Sequence, residues 1–119
     1  MAAPNIVNVT SIYGKTVGAA LGTSSADILT NSAGSGKVFK VNAIYVANVD
    51  GTNNADATVG FYDASATATY KLASTITVPA DATLDIISKS IYLEEGDKIT
   101  ALASAASDLE IVVSYEEIS

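Results

Sequence analysis

The sequence predicts an all-β protein, a single antiparallel β-sandwich of jelly-roll-like winding, with an immunoglobulin-like sandwich as the alternative. Three observations carry that expectation. Apolar residues recur with a period of two rather than the helical 3.6, the alternating runs are strand-length, and clusters of Gly, Asn, Asp and Pro separate them at regular intervals. At 119 residues the chain has the length of one domain with a conventional hydrophobic core.

Taken in order, Asn5 to Tyr13 (NIVNVTSIY) reads as β-like. Gly14 to Gly36 is rich in Gly, Ala, Ser and Thr, and Ile28-Leu29 marks a short strand within it. Residues 1–36 are therefore expected to form either an irregular N-terminal arm lying on a neighbouring subunit or edge strands of the sandwich, whose core is residues 37–119. Lys37 to Val49 is the strongest strand. Strict alternation puts Phe39, Val41, Ala43, Tyr45, Ala47 and Val49 on one wholly apolar face and Val38, Lys40, Asn42, Ile44, Val46 and Asn48 on the other.

Weaker alternating runs follow: Ala57, Val59 and Phe61; Tyr70, Leu72, Ser74, Ile76 and Val78; Leu84 and Ile86; Ile91 and Leu93; Ile99, Ala101 and Ala103. The last strand sets Leu109, Ile111, Val113 and Tyr115 against Glu110, Val112, Ser114 and Glu116 and ends near Ile118. Turn residues stand between the runs at Asp50–Asp56, Asp63–Ser65, Pro79–Asp81, Glu94–Asp97 and Ser107-Asp108.

Composition narrows the function. Six lysines, no arginine and thirteen acidic residues leave a net charge of −7, which repels phosphate and argues against nucleic-acid binding. Without cysteine or histidine there is no disulfide, no thiolate or imidazole metal site and no triad chemistry, and neither an enzyme nor a cofactor-binding protein is expected. The opening MAAPNIVNVT lacks the basic and apolar regions of a signal peptide, and no window is apolar enough for a membrane span, so the expectation is a soluble protein made in the cytoplasm with no membrane partner.

Several local patterns admit a sharper reading. Glu94, Glu95 and Asp97 are the densest carboxylate cluster, but around Gly96 they read as a solvated hairpin turn rather than a glycosidase pair. Ala33–Val38 (AGSGKV) resembles half of a phosphate-binding loop, yet Asn31 and Val38 occupy the anchor positions, leaving Gly34 and Gly36 as punctuation and Lys37 as a strand-start lysine. Asp50, Asn53, Asn54 and Asp56 gather oxygen ligands in one loop without the spacing of a calcium-binding loop. Asn8-Val9-Thr10 matches a glycosylation acceptor that carries no weight without secretion.

Of the six tyrosines, Tyr45 and Tyr115 fall on the apolar faces and are expected in the core, whereas Tyr62 and Tyr92 fall off register and are expected on a partner surface. With Ile6, Val7, Val9 and Tyr13 of the N-terminal segment they make up the candidate contact residues.

Four segments carry a resemblance: Ile44–Asn48 (Ile-x-Val-x-Asn), Val78–Leu84 (Val-Pro-Ala-x-x-Thr-Leu), Leu93–Ile99 (Leu-x-x-Gly-Asp-x-Ile) and the terminus Ile111–Ile118. Together they resemble small bacteriophage virion structural proteins of the capsid-decoration or cement type. The resemblance covers the chain from Lys37 onward and leaves the N-terminal third unmatched. It implies a β-sandwich that assembles as a symmetric homo-oligomer, a trimer or another ring, on the major capsid protein, located in the virion, with no catalytic residue carried over.

The alternatives are a tail, collar or fibre-base subunit of the same fold and, from another class, a carbohydrate-binding β-sandwich, for which tryptophan platforms are missing. A pilin-like or surface-layer subunit fits the Ala/Ser/Thr composition but not the missing leader.

Overall fold

A computed structural model describes residues 4–119. Among the described residues nine strands, β1 (Ile12–Ala20), β2 (Ala26–Thr30), β3 (Val38–Asn48), β4 (Ala55–Asp63), β5 (Ala68–Val78), β6 (Thr83–Asp85), β7 (Ile91–Leu93), β8 (Lys98–Ala103) and β9 (Leu109–Ile118), form two antiparallel sheets. One runs β1-β9-β3-β6, with β7 also pairing β3; the other runs β2-β8-β4-β5. Three of the five turn clusters read from the sequence fall between strands, and the other two, Asp50–Asp56 and Asp63–Ser65, overlap the ends of β4 at Ala55, Asp56 and Asp63.

The ladders nest: β4 pairs β5, β3 pairs β6 and β7, β2 pairs β8, and β1 pairs β9. The chain is thus one long antiparallel hairpin, rolled so that successive parts of it lie in alternate sheets, which is jelly-roll-like winding. An immunoglobulin-type sandwich keeps its first two strands in one sheet, whereas β1 and β2 lie in different sheets. β1 and β2 are outer strands, and Leu21 and Leu29 from this third of the chain lie in the common core. The strand expected at Asn5–Tyr13 begins only at Ile12 and continues through the small residues to Ala20.

The core forms where the two inner faces meet. β9 contributes Leu109, Ile111, Val113 and Tyr115 as its alternation predicts, facing Ala57 and Val59 of β4 and Ile99, Ala101 and Ala103 of β8. Alanines on the second sheet let the layers approach closely, and the molecule measures 49 × 27 × 20 Å.

β3 departs from simple alternation. Its pairing with β9 shifts between Val41 and Ala43, so Asn42 is an extra residue in the strand. Before this bulge Phe39 and Val41 face the core; after it the inward residues are Ile44, Val46 and Asn48. A one-residue insertion reverses every later side chain. Tyr45, expected in the core, is consequently 42% exposed, and Val49 also faces solvent, while Asn48, expected outward, is buried.

Candidate assembly surface

Neighbours across a ladder share a face, so the register defines the outer surface of the β1-β9-β3 sheet row by row. The rows are Ile12, Ile118 and Val38; Gly14, Glu116, Lys40 and Tyr92; Thr16, Ser114 and Ala43; Gly18, Val112, Tyr45 and Asp85; and Ala20, Glu110, Ala47 and Thr83. Small residues are interspersed with the charged Lys40, Asp85, Glu110 and Glu116, and Ile12, Tyr45, Tyr92 and Val112 are large apolar side chains left substantially exposed.

The outer face of the other sheet is of a different kind. Thr58, Gly60, Thr69, Lys71 and Thr100 line a polar depression there with Ser25 and Leu102. Lys98 pairs with Asp27 at 3.2 Å and lies 5.2 Å from the Tyr62 ring centroid. Tyr62 is therefore half-buried beneath a lysine.

The segment before β1 is held at the chain's other end. The amides of Thr10 and Ser11 donate to the Ser119 carbonyl at 2.6 and 3.0 Å, the Ser119 amide donates back to the Ser11 carbonyl, and the two serine hydroxyls are 2.9 Å apart. Ahead of that anchor, the Val7 amide donates to the Asn5 carboxamide and the Asn8 amide to the Asn5 carbonyl, forming a turn. The turn leaves Val7 91% exposed.

Pro4 and Ile6 instead lie over the first sheet, where they line a shallow depression with Val38, Tyr92 and Glu94. Two of the candidate contact residues, Ile6 and Tyr92, thus meet at one place. Val9 is half-buried, and Tyr13 is exposed but pairs with Glu117 in the inward-facing register, so it does not share a face with Tyr92.

Electrostatics tie the N-terminal strand to the body. Glu117 accepts from Lys15 and Lys37, each at 3.0 Å. Burial alone would raise the Glu117 carboxyl, but hydrogen bonds from Lys37 and Lys15 outweigh it and hold the group below the ordinary carboxylate value; the same contact raises Lys15. Lys37 is therefore an ion-pairing residue and more than a strand start.

Two buried asparagines organise the loops. Asn31 donates through Nδ2 to the carbonyls of Lys37 and Leu93 at 2.9 and 3.0 Å, and its Oδ1 accepts from the Ser35 hydroxyl at 2.6 Å. This closes the Ser32–Lys37 loop, where Gly34 and Gly36 have φ of 75° and 69°. Asn48 does the same for the following loop, donating to the Asn53 and Val78 carbonyls and accepting from the Asp50 amide.

The acidic hairpin is not solvated throughout, contrary to the expectation from sequence. Asp97 is only 3% exposed and accepts from the Ala64 and Glu94 amides, and Glu95 accepts from the Gly36 amide. These carboxylates hold loops together, because backbone N–H groups buried between two turns need acceptors. Asp50 likewise accepts from Thr52 and Asn53, which lower its pKa, and Asp63 accepts from Ser65 with the same effect. The oxygens of the Asp50–Asp56 loop are directed at neighbouring donors, including Ala80 for Asn54 and Thr77 for Asp56. Among the described residues no three His, Cys, Asp or Glu side chains gather as a metal site, and no helix is long and apolar enough to cross a membrane.

No protein-family model matches the sequence, and no curated protein matches it. Solved structures resemble the fold. A protein of the Bacillus endospore appendages, which form disulfide-linked pili, superposes with a TM-score of 0.56 at 17% identity over 92% of this chain and 87% of its own. A protein from the acid-stable capsid of Helicobacter pylori bacteriophage KHP30 superposes with a TM-score of 0.54 at 12% identity over 94% and 90%. At these identities the likeness is one of fold: the sandwich described here is shared, nearly end to end, with proteins that build a pilus and a phage capsid.

Proposed function

We propose that this protein is a structural subunit of a phage virion, decorating or cementing the capsid as a symmetric homo-oligomer bound to the major capsid protein. The observation that carries the reading is the contrast between the two outer faces. One is threonine-rich and polar, while the other combines small residues with exposed Ile12, Tyr45, Tyr92 and Val112, large apolar side chains suited to burial against protein. The fold shared with a phage capsid protein and the sequence resemblance from Lys37 onward support it. The reading assigns no catalysis and no cofactor.

A filament subunit is the second reading, favoured by the fold shared with the pilus protein; lacking cysteine, this chain would have to join its copies without disulfides. Carbohydrate binding is disfavoured because the exposed tyrosines do not make one stacking platform. Tyr45 and Tyr92 stand on one outer face but pair with β3 and β9 positions far apart along the strands, and Tyr70 belongs to the other sheet.

The test is the solution mass by light scattering followed by co-sedimentation with undecorated capsids of the source phage. A closed oligomer that pellets in hundreds of copies per particle is expected; a few copies per particle moves the assignment to a tail, collar or fibre-base position. A chain left in the supernatant refutes the capsid reading, and concentration-dependent growth of filaments favours the second.

A further inference from the structure

Three of the four lateral sheet edges are blunted. β6 and β7 are three-residue strands interrupted by Ile86–Ser90; β2 has five residues and a register shift between Asp27 and Leu29; β5 is long, but its ladder shifts twice and Thr75 lies at φ 47°. Short strands and bulges are the means by which sheet edges avoid adding further strands.

β1 has neither. Its nine residues run in unbroken register with β9, it contains no proline, seven of its residues are exposed with only Val17 and Ala19 partly buried against the core, and among the described residues no strand pairs with its other side.

The strand is also complementary to itself. Its bulk lies at the start, in Ile12, Tyr13 and Lys15, and its end is Gly18, Ala19 and Ala20. Two such strands running antiparallel about Thr16 would set Ile12 opposite Ala20, Tyr13 opposite Ala19, Gly14 opposite Gly18 and Lys15 opposite Val17. Large meets small in the outermost pairs, and the two lysines do not oppose each other. Beside Gly18, Ala19 and Ala20 a groove continues onto Glu110, Ile111 and Val112, open to receive the Ile12 of a second copy.

Charge favours the same site. Of the thirteen acidic residues none precedes Asp27, so β1 is a stretch over which two copies of this −7 chain can approach without opposing carboxylates on the strand itself.

We propose that β1 pairs antiparallel with β1 of a second copy across a twofold axis at Thr16, joining two sandwiches through one continuous sheet. The inference rests on the homo-oligomer reading above and specifies its contact. A twofold contact makes the copy number even, as in a dimer or a ring of dimers, in place of a bare trimer.

The chain's lack of cysteine gives a clean test. Opposed Cα atoms in antiparallel strands lie about 4.5–5.5 Å apart, within disulfide range. Oxidised full-length Thr16→Cys is expected to become almost wholly a covalent dimer, whereas Ser74→Cys on β5 stays monomeric on a non-reducing gel. Thr16→Lys and Thr16→Glu, each alone, should halve the mass seen by light scattering without changing the circular dichroism, and mixing them should restore it.

An oligomer whose Thr16→Cys variant does not cross-link overturns the β1 contact and leaves self-assembly standing. A wild-type chain that is monomeric at all concentrations overturns both. Cross-linked dimers that do not pellet with capsids uphold the contact and refute only the capsid assignment.

Discussion

Replacing Asn31 tests the buried polar clasp most directly. The side chain is wholly buried and makes three hydrogen bonds, two donated to the Lys37 and Leu93 carbonyls and one accepted from Ser35. At about 1 kcal/mol net for each, Asn31→Ala should cost about 3 kcal/mol, because the carbonyls it serves are left unpaired where water does not readily replace the donor. That is a large part of the roughly 6–18 kcal/mol expected for a domain of this length.

With an unfolding entropy of about 0.25 kcal/mol/K for this length, the midpoint should fall by about 12 °C. Asn31→Asp should be worse than Ala, since a carboxylate of the same shape has no N–H to donate and faces two carbonyl oxygens. Asn42→Ala, at the exposed bulge, should change stability by less than about 0.5 kcal/mol. Thermal and urea unfolding of the three variants supply the comparison. The reasoning fails if Asn31→Asp is as stable as Asn31→Ala, or if Asn31→Ala loses less than about 1 kcal/mol.

Three further outcomes follow from the geometry. Ile44→Ala should cost about 3–4 kcal/mol and Tyr45→Ala less than about 1 kcal/mol in urea unfolding, and the reverse order would place the β3 bulge elsewhere. Because Lys37 and Lys15 hold the folded Glu117 carboxyl below its ordinary value of 4.5, its contribution is present above that pH and is lost as pH falls through the lower folded value. Glu117→Gln should flatten stability against pH in that acidic window, and an unchanged slope would refute the pairing. Gly96→Ala should destabilise by about 1–3 kcal/mol, since φ is 90° and the new Cβ would come within 2.8 Å of Ala64 Cβ. Gly14→Ala, with nothing within 4 Å of the added carbon, is the control; equal melting temperatures for the two would contradict the geometry.

Local chemistry by itself determined the fold class and the cutting of the chain into strands. A period of two and turn residues such as Pro79–Asp81 act over a few residues, so β9, with Leu109, Ile111, Val113 and Tyr115 inward, was fully legible in the sequence. The composition, without cysteine or histidine and with a net charge of −7, was equally available there.

Of the contact residues, Val7 and Tyr13 do face solvent, but whether they touch a partner is a property of the assembly. Tertiary structure decided which residues turn inward wherever a ladder is irregular. The bulge at Asn42 leaves no mark in hydrophobic periodicity, because both faces of β3 carry apolar residues, and it exchanges the fates of Tyr45 and Asn48. Asn31, Asp97 and Lys37 read as ordinary loop and turn residues, and their roles come from carbonyls, amides and a carboxylate remote in the chain. The small-residue composition of residues 14–20 conceals a strand because β1 is held by its ladder to β9 rather than by its own side chains. Strand pairing is a long-range choice, and the edges it leaves open are defined only once every other strand has found its neighbour.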